Sequence, residues 1–175
     1  MQPNLTIETN NLRLIPCDVD TLHTAIEGND QLAKRLGVTV NENWTEFGAA
    51  ALHYSLERLL ERPADAGWWT YFPIHKQNNE LIGSGGYKGG PTEQGTVEIG
   101  YEIAPAYRNK GLATEMAVAL ISHAFADSRV QSILAHTLGE TNASTKVLAK
   151  CGFQKVEEIN DPEDGLIWKW ELKRP

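Results

Sequence analysis

The stretch Val97 to Phe125, VEIGYEIAPAYRNKGLATEMAVALISHAF, decides the reading of this chain. Its first part alternates, with Val97, Ile99, Tyr101 and Ile103 on one face, which predicts a strand running into Pro105. A short basic loop follows, Tyr107-Arg108-Asn109-Lys110-Gly111-Leu112-Ala113. It opens a helix whose apolar residues recur at Leu112, Met116, Leu120 and Ala124. The first N–H groups of a helix have no partner within it, and the aligned peptide dipoles favour negative charge there. Gly111 lets a ligand come close to the backbone, and Ala113 keeps the next turn small. Strand, loop and helix end together predict an anion site suited to a pyrophosphate.

Two other phosphate loops fail on the same residues. A P-loop needs Gly-Lys-Ser/Thr, whereas the order here is Lys110-Gly111-Leu112. The glycine-rich run Gly83 to Pro91 approaches the spacing G-x-G-x-x-G of dinucleotide sites, but Lys88 stands at the third place and no helical pattern follows. That run reads as a strand end and a turn.

Arg108-Asn109-Lys110-Gly111-Leu112-Ala113 resembles the acetyl-CoA pyrophosphate loop of GNAT-type N-acetyltransferases, [Q/R]-x-x-G-x-[G/A]. The segment from Glu140 to Phe153, ETNASTKVLAKCGF, resembles the E-N-x-A-S-x-x-V-L-E-K-x-G-F stretch of the RimJ/RimL-like branch. The opening Ile7-Glu8-Thr9-Asn10-Asn11-Leu12-Arg13-Leu14 is similar to the first strand of that branch. Three ordered matches span most of the chain. The resemblance implies a GNAT fold, α/β in kind (α+β by strict classification), with a central mixed, mainly antiparallel sheet and helices on both faces. It further implies acetyl-CoA as co-substrate, an amine acceptor, and pyrophosphate contacts from Arg108, Asn109, Lys110, Gly111, Leu112, Ala113 and Thr114.

Bulk properties agree. The chain has 175 residues, which suits a single domain over 1–175, and its 41% hydrophobic and 22% charged residues are ordinary globular values. A net charge of −7 argues against a general nucleic-acid binder, which needs a basic face. An acidic protein that binds an anionic co-substrate must gather positive charge locally, and Arg108, Lys110, Lys146 and Lys150 are the contributors to expect. No apolar run approaches the roughly 20 residues of a membrane span, and the N-terminus does not read as a signal peptide. Cys17 and Cys151 stand far apart, so a reducing, cytoplasmic setting is the simplest expectation. The histidines have no spacing that suggests a metal site. A monomer and a homodimer are both compatible with the sequence.

Periodicity predicts a first strand from about Leu5 to Pro16, then a helix to about Glu27 capped by Asp18 or Asp20, and a short helix to about Leu36. An irregular segment with Trp44 leads to a helix over Gly48–Glu61 that buries Ala51, Leu52, Leu56, Leu59 and Leu60. Strands are expected at 68–75, 81–87 and 96–103, a helix at 111–125, a strand at 132–137, a helix at 142–150 and a closing pair at 153–159 and 165–172.

The chemistry requires an amine to attack a thioester carbonyl and a thiolate to leave. A lysine-type amine, with a pKa of about 10.4, is mostly ammonium at neutral pH, so a proton acceptor helps. Glu98 and Glu102 share a strand face by alternation, and Glu98 resembles the Glu of the family's E-I-G-Y strand beside the cleft, which implies that it is the base, also in contact with the acceptor. Backbone N–H groups from Tyr101 to Ile103 are the expected donors to the oxyanion and pantetheine. The resemblance implies that Asn142 or Thr141, with Ser144, lines the pantetheine side, and that Ser144 is the acid. The family's usual asparagine falls on Thr141, and the tyrosine that many members use to protonate the thiolate falls on Leu148. Trp44 is either a wall of the acceptor pocket or core filler. The acceptor itself, a protein N-terminus or a small amine such as an aminoglycoside or polyamine, stays open. So does an acyl-CoA-binding module without turnover.

Overall fold

The computed structural model describes residues 5–175. In chain order its elements are β1 Ile7–Glu8, β2 Leu12–Pro16, α1 Val19–Glu27, α2 Asn29–Leu36, β3 Thr39–Val40, α3 Gly48–Glu61, β4 Thr70–His75, β5 Glu80–Leu81, β6 Gly83–Tyr87, β7 Thr96–Ile103, α4 Leu112–Ala126, β8 Ser132–Leu138, α5 Ala143–Lys150, β9 Gln154–Asp161 and β10 Gly165–Lys173. The main sheet runs β1-β2-β4-β6-β7-β8-β10-β9, with β5 beside β4 and β3 beside β5. Pairing is antiparallel except for β7 with β8 and β3 with β5. The expected mixed, mainly antiparallel sheet with helices on both faces is present.

Strand alternation divides the molecule into two cores. On β4, Tyr71 packs with α4 while its neighbour Phe72 packs with the first three helices, and both are fully buried. The first core joins Met116, Leu120 and Ala124 of α4 to Val97, Ile99 and Ile133. The second joins Leu22, Leu32, Leu52, Leu56 and Leu59 to Phe72, Ile74 and Leu81. Each fully buried Leu or Ile contributes about 1.5–3 kcal/mol, so these two stripes hold the helices on the sheet.

The glycines of β6 follow from close packing. A Cβ on Gly85 would meet Met116 Cε at 2.6 Å and the Gly100 carbonyl at 2.7 Å, so α4 and β7 approach only because no side chain is there. The glycine-rich run is thus a strand and a following turn.

Several boundaries differ from expectation. The first strand is two short ones, because Asn10 and Asn11 turn the chain and the Thr9 hydroxyl accepts the Leu12 N–H at 2.9 Å. The strand expected over 81–87 is interrupted at Ile82, whose N–H bonds the Pro73 carbonyl. Helix α3 has the expected limits, but Ala51 is exposed and Leu60 is 55% exposed. The inward stripe is Leu52, Ser55, Leu56 and Leu59, with the Ser55 hydroxyl taking a hydrogen bond from Thr70 at 3.0 Å. Among the described residues no helix is long and apolar enough to cross a membrane.

Candidate active site

Strands β7 and β8 pair only from Thr96 to Glu98 against Ser132 to Leu134, and then part. Beyond that point Gly100 to Ile103 remains paired to β6 on one side only. Ala135 to Leu138 likewise keeps only β10. Between the separated strands lies a cleft of about 760 Å³. Its walls are these two strand ends, the start of α4 and the face of α5. The edge of β7 therefore presents unpaired backbone groups into the cleft, as donors for a carbonyl oxygen or an amide must.

At one end the cleft meets the loop before α4. A 3-10 turn, Pro105–Tyr107, redirects the chain, and Asn109 and Gly111 then take left-handed φ values of 61° and 77°. Gly111 is the N-cap of α4, and no side chain caps this helix. The first bond into the helix is Glu115 N–H to the Gly111 carbonyl at 3.0 Å, so the preceding N–H groups, Leu112 to Thr114, emerge at the helix end. Arg108, Asn109, Gly111, Leu112, Ala113 and Thr114 all line the cleft.

The basic residues around this end are arranged unequally. Lys146 and Lys150 line the cleft from α5. Arg108 turns toward the opposite wall, where its Nε donates to the Ile103 carbonyl at 2.9 Å and a terminal nitrogen pairs with Glu46 at 2.8 Å. Lys110 folds back on its own loop, donating to the Ala106 carbonyl at 3.2 Å and lying over the Tyr107 ring.

Glu98 stands where β7 and β8 begin to part. No basic residue adjoins it in sequence, but two groups reach it in space. Its Oε1 is 2.9 Å from Lys88 Nζ and 2.8 Å from His136 Nδ1. Burial pushes the Glu98 carboxyl upward, and the hydrogen bonds and charges of Lys88 and His136 outweigh this, leaving it below the ordinary carboxylate value. Glu102, on the same face, is 9% exposed. It accepts hydrogen bonds from the Thr45 hydroxyl, from Ser84 at 3.2 Å, and from the N–H groups of Glu46 at 2.9 Å and Phe47 at 3.1 Å. It thus ties the segment before α3 to the cleft wall.

On the α5 side, Asn142 is the helix cap. Its Oδ1 accepts the Thr145 N–H at 3.0 Å, and the Thr145 hydroxyl in turn accepts the Asn142 N–H at 2.9 Å. Thr141 is exposed and does not cap. Ser144 is half-buried on the cleft wall, while Leu148 is 1% exposed and packs in the core. The Tyr101 hydroxyl is enclosed beside Ser144 without closing a full hydrogen bond. Burial raises this phenol to about 12, with Ser144 opposing the shift.

Trp44 is a core residue. It is 3% exposed, stacks edge-on against Phe72 at 5.3 Å and donates from Nε1 to Asn29. The aromatic that reaches the cleft is Phe47, 55% exposed and held by Glu102 through its N–H. Sequence reasoning had no signal for this, because both lie in the same irregular stretch. His136 and Lys88 were missed for a different reason: each meets Glu98 only through strand pairing. Among the described residues no group of three or more His, Cys, Asp or Glu is placed to hold a metal ion.

Residues 11–154 match the family described as Acetyltransferase (GNAT) domain. The chain is 33% identical over 148 residues to the N-acetyltransferase YjdG of Bacillus subtilis (strain 168), covering 84% of this chain and 88% of that protein. The fold is similar to that of a ribosomal-protein-S5-alanine acetyltransferase from Vibrio fischeri, with a TM-score of 0.70 at 17% identity over 96% of each chain. It is also similar to the microcin C7 self-immunity acetyltransferase MccE in complex with acetyl-CoA and AMP. There the TM-score is 0.66 at 11% identity, over 95% of this chain and 94% of that one.

Proposed function

The chain belongs to the GNAT family of acetyltransferases, and from that membership we propose that it moves acetyl from acetyl-CoA to a primary amine, in the manner of the RimJ/RimL-like branch. The observation that carries this reading is the parting of β7 and β8 over a cleft that ends on the uncapped start of α4. A thioester held along the free edge of β7 meets backbone donors from Tyr101 to Ile103. The pyrophosphate of the same molecule meets the N–H groups before Glu115. The cleft of about 760 Å³ is of the size that small-molecule and cofactor sites usually have.

The acceptor enters from the Glu46–Phe47 side, toward Glu98. Its nitrogen attacks the thioester carbon, the oxyanion forms against the β7 edge, and the thiolate departs toward Ser144 and the buried Tyr101 phenol. Proton removal from the amine falls to the cluster around Glu98. The acceptor is either the α-amine of a protein or a small-molecule amine, and product analysis separates them. Incubation with acetyl-CoA, a set of N-terminal peptides and a set of polyamines and aminoglycosides, followed by mass spectrometry, is expected to find acetyl on a primary amine nitrogen of one set. Acetyl recovered on no amine would leave a module that binds acyl-CoA without turnover.

A further inference from the structure

We propose that His136 is the group that takes the acceptor's proton, with Glu98 positioning its imidazole rather than acting as the base itself. This rests on the acetyl-transfer reading above.

His136 lies on β8 two residues past Leu134, the last residue paired with β7, so it stands on the cleft wall where the strands have parted. Its Nδ1 meets Glu98 Oε1 at 2.8 Å. A neutral imidazole that donates from Nδ1 to a carboxylate keeps Nε2 as its acceptor, and the carboxylate then stabilises the imidazolium once a proton arrives. Among the described residues only Nδ1 is engaged. The ring is 28% exposed, so it is reached from the cleft yet fixed by its partner.

Glu98 is poorly suited to be the base. The same Oε1 that meets His136 also takes Lys88 Nζ at 2.9 Å, and a carboxylate already compensated by an ammonium holds an extra proton weakly. Its lowered pKa agrees. The other charges facing His136 come from β10, where Lys169 is its cross-strand partner and is itself 3.6 Å from Glu157 of β9. Glu102 and Glu46 lie farther along the same cleft. Lys88 and Lys169 thus each have a carboxylate partner, Lys146 and Lys150 line the same cleft from α5, and the imidazole is the group here that keeps a free acceptor nitrogen beside a carboxylate.

The step balances as follows. His136 Nε2 takes one proton from the incoming ammonium, directly or through water, leaving a neutral amine and an imidazolium. The amine lone pair forms the C–N bond, the carbonyl electrons move to oxygen, and their return breaks the C–S bond. A second amine proton goes to the departing thiolate, giving the amide and CoA thiol, and His136 then releases its proton to solvent.

The test is the pH dependence of kcat/KM in the whole protein, with thiol release as readout. Wild type is expected to show an acidic limb. His136→Gln is expected to lose about 10²-fold at neutral pH and to replace that limb with one at higher pH, set by the amine's own deprotonation, along which the rate recovers. Its acetyl-CoA affinity should match wild type by calorimetry. Glu98→Gln removes the charge that stabilises the imidazolium, so its limb should persist but move to lower pH. A limb abolished in Glu98→Gln and unchanged in His136→Gln would assign the base to Glu98 and overturn the proposal. Equal rates for His136→Gln and wild type from pH 6 to 9 would overturn it too. Absence of thiol release from wild type with every amine is a different failure, that of the transfer reading.

Discussion

Arg108 and Glu46 are joined at 2.8 Å across the mouth of the cleft, linking the loop before α4 to the segment before α3. The pair is solvent-exposed, so its contribution to stability is about 0–1 kcal/mol. Its interest is positional. An anion arriving at the helix end competes with Glu46 for the guanidinium, while Nε stays on the Ile103 carbonyl.

Glu46→Gln should therefore free Arg108 and tighten acetyl-CoA binding by a few-fold. Arg108→Ala should weaken it and flatten its salt dependence, because charge-assisted contacts to phosphate are lost. Calorimetry at two ionic strengths reads both. Unchanged affinity in both variants would remove Arg108 from the binding account.

Gly111 sits at φ 77°, and a Cβ there would meet no protein atom. The cost of a side chain is therefore backbone strain of about 1–2 kcal/mol and obstruction of a bound pyrophosphate. Gly111→Val should lower the melting temperature slightly and raise KM for acetyl-CoA strongly. Gly111→Asn, which tolerates the left-handed region, should keep the melting temperature while still impairing binding. Wild-type KM in both variants would contradict the site.

Glu102 receives two hydroxyl and two backbone donors. Glu102→Ala leaves them unpaired, at about 1–3 kcal/mol for a buried group. It should release the Glu46–Phe47 segment, raising KM for the amine far more than KM for acetyl-CoA. Initial rates with each substrate varied in turn distinguish this from a general loss of fold.

Ser144 has a simpler test. If it or the neighbouring Tyr101 phenol assists thiolate departure, Ser144→Ala should lower kcat several-fold while acetyl-CoA binding holds. A fully active variant would leave Ser144 as a helix residue only.

Glu115 ties the β1–β2 turn to α4, accepting from the Thr9 hydroxyl at 2.6 Å, the Asn11 N–H at 2.7 Å and the Asn11 amide at 3.0 Å. Burial raises its carboxyl, and these hydrogen bonds outweigh that and hold it below the ordinary value. A carboxyl depressed on folding stabilises the protein above its unfolded pKa, about 4.3, and loses that effect as pH falls through its folded pKa. Urea unfolding of wild type and Glu115→Gln should therefore differ at pH 7 and converge in acid. A difference that persists or grows in acid would contradict it.

Much of this was legible in the sequence, and the exceptions have physical reasons. The limits of α3 and α4 follow from apolar spacing, and Asn142 caps α5 as its residue type allows. The break between β1 and β2 leaves no trace in the pattern, because the alternation survives the Asn10-Asn11 turn. Ala51 and Leu60 flank the buried stripe of α3 by one position on either side, an azimuth that only the packed sheet determines. The surroundings of Glu98 were invisible because Lys88 lies across a hairpin and His136 across a parallel pair with a helix between. Local pattern reports an element's face, whereas charge neighbours depend on which strands meet. Trp44 and Phe47 show the same limit: only the fold tells which aromatic turns to the core and which to the cleft.

The most direct measurement is release of CoA thiol from acetyl-CoA by the purified protein across a panel of primary amines, with amine-free protein as baseline. The account predicts thiol release above baseline with at least one amine, matched mole for mole by acetylated product and sharply reduced in Gly111→Val. Tight acetyl-CoA binding with no amine-dependent thiol release across the panel would contradict it.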